Sequence, residues 1–261
     1  MGMIKLSNVN FSYSSKNYFH LKNISFECQE NKLIGLAGPN GSGKSTLLKL
    51  ISGIEKPISG EITLKGKPIN LYNSIERAKI LRWVGQLEET KIQYKVLDYL
   101  LFGSFPKISF FGKITKRVEK KAEELLETFY LFEKKNWEVE KLSGGEKKLL
   151  QIAFSLISEP EVIILDEPFA HLDPVHLKAL FSIIKKEKEK GRCFIISSHE
   201  YNTLKYISDY LILLSEGEML TFNEPSKIEK NLWGKAFKIP FIEENLNIRN
   251  IIPDIYQDFK K

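Results

Sequence analysis

Short, nearly continuous apolar runs recur along the chain, at 33–37, 162–165, 193–197 and 210–214. Runs of this length are typical of strands that are buried on both faces of a parallel sheet. Between them lie longer segments, such as 174–190, in which apolar residues recur at helical spacing. Because helices cover both faces of such sheets, the pattern predicts an α/β core.

Two other patterns flank this core. Alternating apolar and polar residues within 3–30 and at 61–64 predict an antiparallel edge layer. Apolar residues at helical spacing between about 87 and 158 predict a helical lobe inserted into the core. The expected architecture is therefore a mostly parallel sheet with an antiparallel β edge layer and an inserted α-helical lobe.

The domain organisation follows from the same pattern. No Gly/Ser linker divides the chain into independent halves. Residues 219–261 contain prolines among scattered aromatics, so they are expected to form only a peripheral extension. We predict one domain over residues 1–228 and a C-terminal extension of unknown role over 229–261.

The composition is that of a folded globular protein, with 43% apolar and 28% charged residues among 261. The apolar runs are far shorter than the ~20 residues of a membrane-spanning helix, and no secretory signal is recognisable. Cys28 and Cys193 lie inside apolar segments, which favours reduced core thiols and a cytosolic compartment. The net charge of +6 suits nucleic acid, an anionic membrane or a Lys-rich proteome alike. Charge alone therefore identifies no partner.

The segment 38–46 fits the phosphate-binding pattern G-x-x-x-x-G-K-[ST] and joins an apolar strand to an amphipathic helix. Its glycines let backbone N–H groups surround phosphate oxygens at a helix N-terminus. We expect Lys44 to reach the β- and γ-phosphates of a nucleotide, Ser45 to ligate Mg²⁺ and Thr46 to lie near the α-phosphate. A glycine-rich turn that only caps a helix is the alternative, and it is disfavoured by the Lys-Ser pair in register. The predicted binding residues are Gly38, Pro39, Asn40, Gly41, Ser42, Gly43, Lys44, Ser45 and Thr46.

Further candidates lie at predicted strand ends, where ligands bind in open α/β sheets. Asp166 is expected to hold Mg²⁺ while Glu167 orients and deprotonates the attacking water, unless both are merely exposed acids before a turn. His199 is expected to hydrogen-bond the γ-phosphate, and the amide of Gln86 to contact Mg²⁺ or water. The predicted catalytic residues are Lys44, Gln86, Glu167 and His199, and the predicted Mg²⁺ ligands are Ser45, Gln86 and Asp166.

A second phosphate-binding helix start is predicted in the lobe, at Ser143, Gly144 and Gly145. The spacing of Ser143 and Glu146 also fits a capping box, which needs no ligand, and the two interpretations are compatible. One chain already supplies a full phosphate loop, so a second such site suits a nucleotide held between two copies. Tyr13 is a candidate for stacking on adenine, and ordinary core packing is an equally good alternative.

In this order the motifs resemble those of the nucleotide-binding subunit of ABC transporters, over about residues 3–228. The segments that match are Tyr13 as the adenine-stacking aromatic, 38–46 as Walker A, Gln86 as the Q-loop, 142–146 as the signature, 162–167 as Walker B, 170–173 as the D-loop and His199 as the switch histidine. The resemblance implies a P-loop NTPase core that hydrolyses ATP with Mg²⁺. It also implies that two copies close head-to-tail over two ATP molecules, each bound by one chain's Walker A and the other's signature.

The same resemblance implies partners and a location. Membrane permease subunits would be separate chains that receive the motion of the helical lobe, and a solute-binding protein would act indirectly. The subunit would lie at the cytoplasmic face of the cell membrane. No nucleic acid is expected as a partner. ABC ATPases that act in DNA repair carry a long coiled coil between Walker A and Walker B, and the sequence between Lys44 and Asp166 is too short for one.

The lobe also carries a signal for the subtype. Segments 96–106 and 110–112 are similar to those of ATPases that serve iron-siderophore, haem and cobalamin importers. This chain departs from the usual pattern at Phe154, where Arg is common, and at Glu146, where Gln is common. The first alternative is the ATPase of an exporter or of a vitamin energy-coupling complex. A non-transport ABC ATPase acting on nucleic acid is the second.

Overall fold

The computed structural model describes residues 2–13, 20–85, 93–105, 107, 114–170 and 172–238. The strands are β1 (Gly2–Phe11), β2 (Leu21–Gln29), β3 (Leu33–Ala37), β4 (Ser59–Leu64), β5 (Lys67–Pro68), β6 (Leu81–Val84), β7 (Val162–Asp166), β8 (Cys193–Ser197), β9 (Tyr210–Ser215) and β10 (Glu218–Asn223). The helices are α1 (Lys44–Ile51), α2 (Ser74–Ile80), α3 (Val96–Phe102), α4 (Lys116–Thr128), α5 (Gly144–Leu156), α6 (Pro174–Glu189), α7 (Tyr201–Ile207) and α8 (Lys230–Phe237). Short 3₁₀ turns lie at Ile69–Leu71, Phe132–Lys134, Val139–Lys141 and Pro225–Lys227.

The strands form one mixed sheet in the order β5-β4-β1-β2-β10-β9-β3-β8-β7-β6. Strands β9, β3, β8, β7 and β6 pair in parallel, whereas β1, β2, β4 and β5 pair antiparallel. β10 joins the two parts, since it is antiparallel to β9 and meets β2 through the parallel pair Glu218 and Lys22. The predicted α/β core with a mostly parallel sheet and an antiparallel layer is confirmed.

Alternate residues of the central strands face two different hydrophobic cores. In β3, Leu33 and Ala37 belong to the core that contains α7 and the lobe helices, whereas Ile34 and Leu36 belong to the core with the antiparallel layer and α1. Strands β7, β8 and β9 alternate in the same way. A strand with both faces buried has no solvent-facing positions, which explains the continuous apolar runs. Burial of each such Leu or Ile side chain stabilises the fold by about 1.5–3 kcal/mol.

Helices α3, α4 and α5 form the predicted lobe, and α5 packs it against β6 and β7. Arg82 of β6 fixes the lobe from the sheet side. Its Nη2 donates to the carbonyl of Gly103 at 2.6 Å and its Nε to Ser158 Oγ at 3.2 Å. The lobe is thus confirmed in the described residues. Residues 86–92 and 108–113 lie outside them, so the predicted bounds stay a prediction.

The expectation that 219–261 form only a peripheral extension is wrong for the first part of that range. β10 joins the sheet, and α8 packs on it with Trp233 only 3% exposed and Ala236 fully buried. The Trp233 ring lies against Tyr201, with centroids 5.2 Å apart. Trp233 and Phe237 stack with centroids 6.3 Å apart along α8, and Trp233 is buried because this face of the helix packs on the core. Residues 239–261 lie outside the described residues, and the predicted domain boundary stays a prediction.

The two cysteines are as the sequence predicts, since both Cys28 and Cys193 are buried free thiols. A hydrogen bond with Cys28, together with burial, raises the pKa of the Cys193 thiol, so this thiol stays protonated and unreactive. Within the described part of the chain, none of the helices has both the length and the apolar character to span a membrane.

Candidate nucleotide-binding site

The loop between β3 and α1 is built for close approach of a ligand to the backbone. A Cβ atom at Gly38 would lie 2.3 Å from the carbonyl oxygen of Leu214, so only glycine fits there. Gly43, the residue before α1, has φ of +105°, in the left-handed region that glycine adopts without strain. The loop thereby turns directly into the N-terminus of α1, whose free N–H groups and helix dipole favour an anion.

Lys44 is buried at the centre of this loop. Its Nζ donates to the carbonyls of Gly38 at 2.8 Å and Pro39 at 3.1 Å. Burial lowers the pKa of Lys44, and the nearby carboxylates of Glu167 and Asp166 partly oppose that shift. The structure thus brings the loop lysine and both predicted carboxylates into one electrostatic site.

A buried hydroxyl in the loop indicates a fit to phosphate. Ser42 Oγ is buried, and no residue in the described ranges offers it a hydrogen-bond partner. A buried hydroxyl without a partner costs about 1–3 kcal/mol, so such groups usually await a ligand or a water. Phosphate oxygens, which accept hydrogen bonds, would satisfy Ser42 and the N–H groups of the loop together.

Tyr13 lies at the edge of the loop and not in the core. Its ring is 48% exposed and packs edge-on against Phe11, with centroids 4.9 Å apart. Its hydroxyl lies 3.5 Å from Thr46 Oγ1, at the first turn of α1. The exposure argues against the core-packing alternative.

Asp166 and Glu167 lie where β7 ends, as the sequence predicts. Asp166 is buried and accepts a hydrogen bond from Ser197 Oγ, at the paired end of β8. Glu167 has φ of +49°, a strained left-handed conformation that is most frequent at functional sites. The Glu167 N–H donates to the carbonyl of Ser197 at 3.1 Å, which holds the residue at the sheet edge. The pair is therefore fixed in position, unlike two exposed acids at a turn.

His199 and Glu167 are in direct contact. The Nδ1 atom of His199 lies 2.8 Å from Glu167 Oε2, and the His199 N–H donates to the same oxygen at 3.2 Å. The imidazole is 60% exposed and the carboxylate only 14%. The histidine thus lies between the carboxylate and solvent, where a phosphate and its attacking water would be expected.

The donor set suits Mg²⁺ bound partly by a nucleotide. Mg²⁺ is usually held by one or two carboxylates together with substrate phosphates and waters. Asp166 offers the carboxylate, and Ser45 lies in the first turn of α1 beside Lys44. No group of three or more His, Cys, Asp or Glu side chains suited to a metal occurs among the residues described. The site therefore fits Mg²⁺ only together with phosphate.

Ser143 begins α5 with a complete capping box. Its hydroxyl accepts from the Glu146 N–H at 3.3 Å, and the Glu146 carboxylate accepts from the Ser143 N–H at 2.9 Å. Ser143 and Gly144 are exposed, and a Cβ atom at Gly144 would meet no described residue within 4 Å apart from its chain neighbours and the backbone of its own helix. The capping interpretation is therefore confirmed, and the helix start is also open to a ligand outside this chain.

Two predicted residues lie outside the described part of the chain, Gln86 and the D-loop residue His171. Asp173, the last D-loop residue, caps α6 by accepting from the His176 N–H at 2.9 Å. The placement of Gln86 as a ligand or water contact stays a prediction.

Sequence reasoning missed Ser197 and Lys148. Lys148 is buried in α5, and its Nζ donates to the carbonyls of Gly85 at 2.9 Å and Asp166 at 3.0 Å. Burial lowers its pKa to about 8, although Asp166 and Glu167 attract its charge. The available signal was spacing, because Lys148 shares the core-facing side of α5 with Ile152, four residues later.

A sequence profile described as ABC transporter matches residues 21–170. An ABC transporter ATP-binding protein of Bacillus cereus is 35% identical over 86% of the chain, which spans only 39% of that protein's length. The petrobactin import ATP-binding protein FpuC of Bacillus anthracis is 31% identical over 87% of this chain and 83% of its own. The energy-coupling factor transporter ATP-binding protein EcfA of Methanocaldococcus jannaschii is 32% identical over 80% of this chain and 74% of its own.

Solved structures share the whole fold. A metal-chelate type ABC transporter in an inward-facing conformation has a TM-score of 0.78 at 26% identity, covering 92% of this chain and 90% of the other. A dimeric ATP-binding cassette in a post-hydrolysis state, bound to ADP and Pi, has a TM-score of 0.75 at 27% identity, covering 85% and 98%. Sequence profile, relatives and fold agree with the geometry of the phosphate loop. The chain belongs to the ABC transporter family and carries the ATPase domain of that family.

Proposed function

We propose that this chain binds ATP with Mg²⁺ and hydrolyses it as the motor subunit of a membrane importer. The observation that carries the proposal is the convergence of Lys44, Asp166, Glu167 and His199 on one end of the sheet. A cation, two carboxylates and an imidazole at a phosphate loop form the set that phosphoryl transfer to water requires.

Each side chain has a distinct role in this proposal. Lys44 leaves the loop carbonyls to bind the β- and γ-phosphates, and Ser45, Asp166 and Gln86 hold Mg²⁺ directly or through water. When bound, Mg²⁺ neutralises charge on the phosphate oxygens. The other loop residues supply N–H groups, and Tyr13 stacks on the adenine.

Glu167 takes the proton of the attacking water in the proposed reaction. Its carboxylate is mostly shielded and fixed at the end of β7, which suits a general base. His199 already contacts that carboxylate, so a small rotation of the exposed imidazole would release Glu167 and bring the ring to the γ-phosphate.

The second half of each site comes from another copy of the chain. Ser143 caps α5, and the first-turn N–H groups of Gly144 and Gly145, which have no partner within the helix, lie at the positive end of the α5 dipole. The structural relative with bound ADP and Pi is a dimer, which supports the same arrangement here. We therefore propose a head-to-tail dimer with two ATP molecules at the interface.

The cargo is proposed to be an iron-siderophore, haem or cobalamin, carried by separate permease subunits and delivered by a solute-binding protein. Similarity to FpuC, which is named for petrobactin import, and to a metal-chelate type transporter supports this class. The subunit would lie at the cytoplasmic face of the membrane through these partners, with no role for nucleic acid.

A vitamin energy-coupling ATPase is the second candidate, because the identity to EcfA equals that to FpuC within one percentage point. Co-purification with the membrane subunits, followed by ATPase assays with loaded solute-binding proteins, separates the two. Stimulation by a loaded solute-binding protein supports the importer, whereas an energy-coupling complex would respond to none of these proteins. The same assay with iron-siderophore, haem and cobalamin identifies the cargo.

The hydrolytic role is tested by Glu167→Gln. We expect ATP binding to persist, hydrolysis to fall by about 10²- to 10⁴-fold because the base is lost, and an ATP-bound dimer to accumulate. The assays are nucleotide binding, phosphate release and size-exclusion chromatography with ATP.

The matched control for that experiment is Glu161→Gln, which removes an exposed carboxylate paired with Lys65 just before β7 begins. Its hydrolysis rate should equal that of the wild type. Near-normal hydrolysis by Glu167→Gln would exclude this residue as the base.

A further inference from the structure

Lys148 lies between two parts of the chain that contribute to different ATP sites of the proposed dimer. One part is the pair Asp166 and Glu167, and the other is the N-terminus of α5. Lys148 lies in α5 four residues after Gly144, and therefore about one helical turn from the end that faces the second copy. Its side chain points the other way, into the protein, and is only 4% exposed. One helix thus carries a phosphate-binding N-terminus on one side and a buried ammonium on the other.

The ammonium joins the ends of two neighbouring strands. Val84 of β6 and Leu165 of β7 are the last paired residues of their ladder. The residues that follow this last pair, Gly85 after β6 and Asp166 at the end of β7, each accept a hydrogen bond from Lys148 Nζ at their carbonyls, at 2.9 and 3.0 Å. Lys148 thereby continues the connection between β6 and β7 where their backbone pairing stops.

The carbonyl of Asp166 belongs to the peptide bond that leads into Glu167. Because Glu167 is held at φ of +49°, its carboxylate direction depends on how that peptide is oriented. The carboxylates of Asp166 and Glu167 also attract the Lys148 charge. Replacement of the ammonium by an apolar group would remove both of these hydrogen bonds.

We propose that Lys148 is a positioning residue, which holds the Asp166–Glu167 peptide in the hydrolytic orientation and ties it to the signature helix. This inference rests on the proposed function, since it concerns the geometry of that ATPase site. A displacement of α5 that follows contact of Ser143 with the second copy's ATP reaches the chain's own Glu167 through this ammonium. Lys148 does not touch the nucleotide in this proposal.

The test compares two variants. Lys148→Met keeps the length of the side chain but removes its charge and its N–H donors, whereas Lys148→Arg keeps a positive charge and N–H donors. We expect Lys148→Met to lower kcat by about 10- to 100-fold, a loss typical when a residue that orients a catalytic group is removed. The KM for ATP and ATP-dependent dimerisation should stay near wild-type values, because the phosphate loop and Ser143 are intact. Lys148→Arg should restore most of the lost kcat.

Lys147→Met is the matched control, since it removes the neighbouring, partly exposed lysine of the same helix. Its kcat and KM should be those of the wild type. If Lys148→Met fails to fold, Lys148→Gln retains N–H donors without the charge and is judged by the same separation of kcat from KM.

The inference is overturned if Lys148→Met hydrolyses ATP at the wild-type rate. It is also overturned if kcat, KM and the unfolding midpoint deteriorate together and Lys148→Arg restores none of them, because that result indicates only a structural role. Failure of the proposed function has another signature. A wild-type chain without ATPase activity, alone and with its membrane subunits, overturns both proposals.

Discussion

At the scale of single residues, Ser143 caps α5, and the same helix start is proposed to bind a phosphate of the second copy's ATP. The Ser143 hydroxyl and N–H are engaged in the capping box with Glu146. The N–H groups of Gly144 and Gly145, in the first turn of α5, have no partner within the helix and remain for a phosphate. The cap therefore fixes the backbone that is proposed to bind the second copy's ATP.

This combination predicts different effects of two N-cap substitutions. Ser143→Asp keeps a good N-cap, so the free energy of unfolding should change by less than about 0.5 kcal/mol. Its carboxylate would repel the γ-phosphate of the second copy's nucleotide, and hydrolysis should fall at least ~10-fold while ATP binding by the single chain persists. Denaturant titration, ATP binding and phosphate release measure the three quantities.

Ser143→Asn is the control, since it is neutral and caps equally well. It should retain most of the activity. Wild-type hydrolysis by Ser143→Asp would mean that the residue acts only as a helix cap.

The site residues that the sequence predicted lie in local patterns, whereas those it missed depend on partners that are distant in sequence. Lys44, Asp166 and His199 were predictable because each lies at a strand or helix end with a recognisable local pattern. Ser197 and Lys148 act through partners that are distant in sequence, and only the pairing of β7 with β8 and the packing of α5 bring those partners close. Local pattern carries no information on such contacts.

At the scale of elements, the central strands were predictable because burial on both faces gives an unambiguous apolar run. α8 was not, since its eight residues bury only Trp233 and Ala236, and Gly234 interrupts the helical pattern. β10 was missed because its residues are all partly or fully exposed and show no clean alternation. Elements that depend mainly on tertiary contacts leave a weak trace in sequence.

The packing of α8 is testable through its tryptophan. Trp233→Ala should lower the free energy of unfolding by about 3–5 kcal/mol, because it removes a buried aromatic ring that lies against Tyr201. Trp137→Ala, at a residue 46% exposed in the lobe, should cost less than about 1 kcal/mol. Equal losses in a denaturant titration would contradict the docking of α8 on the core.

At the scale of the whole molecule, each chain carries one complete phosphate loop and one outward-facing helix start, in different lobes. In a two-fold dimer the same pair of surfaces meets twice, so each proposed site takes parts from both copies. The architecture of one chain could be predicted from its sequence. The shared site was suggested by the second phosphate-binding helix start and by the family resemblance, since no hydrophobic pattern describes a second copy.

Mixing two inactive variants tests whether the sites are shared. Lys44→Ala disables the phosphate loop and leaves the helix start at Ser143 intact. Ser143→Asp disables the helix start and leaves the phosphate loop intact, so each variant should be nearly inactive alone. An equal mixture should regain roughly a quarter of the wild-type ATPase activity if intact composite sites act independently. No gain would exclude independently active shared sites, and a mixture with Lys44→Ala,Ser143→Asp provides the background.

The hydrogen bonds of Lys44 to its own loop also determine the thermodynamics of nucleotide binding. Because the ammonium already holds the carbonyls of Gly38 and Pro39, the loop is ordered before any ligand arrives. Ordering of a free segment would cost about 1–2 kcal/mol per residue, and folding of the chain has already met that cost. When a nucleotide binds, the Lys44 ammonium exchanges carbonyl oxygens for phosphate oxygens in a loop that is already ordered. The affinity for the nucleotide therefore reflects how strongly Lys44 binds each of these two sets of oxygens.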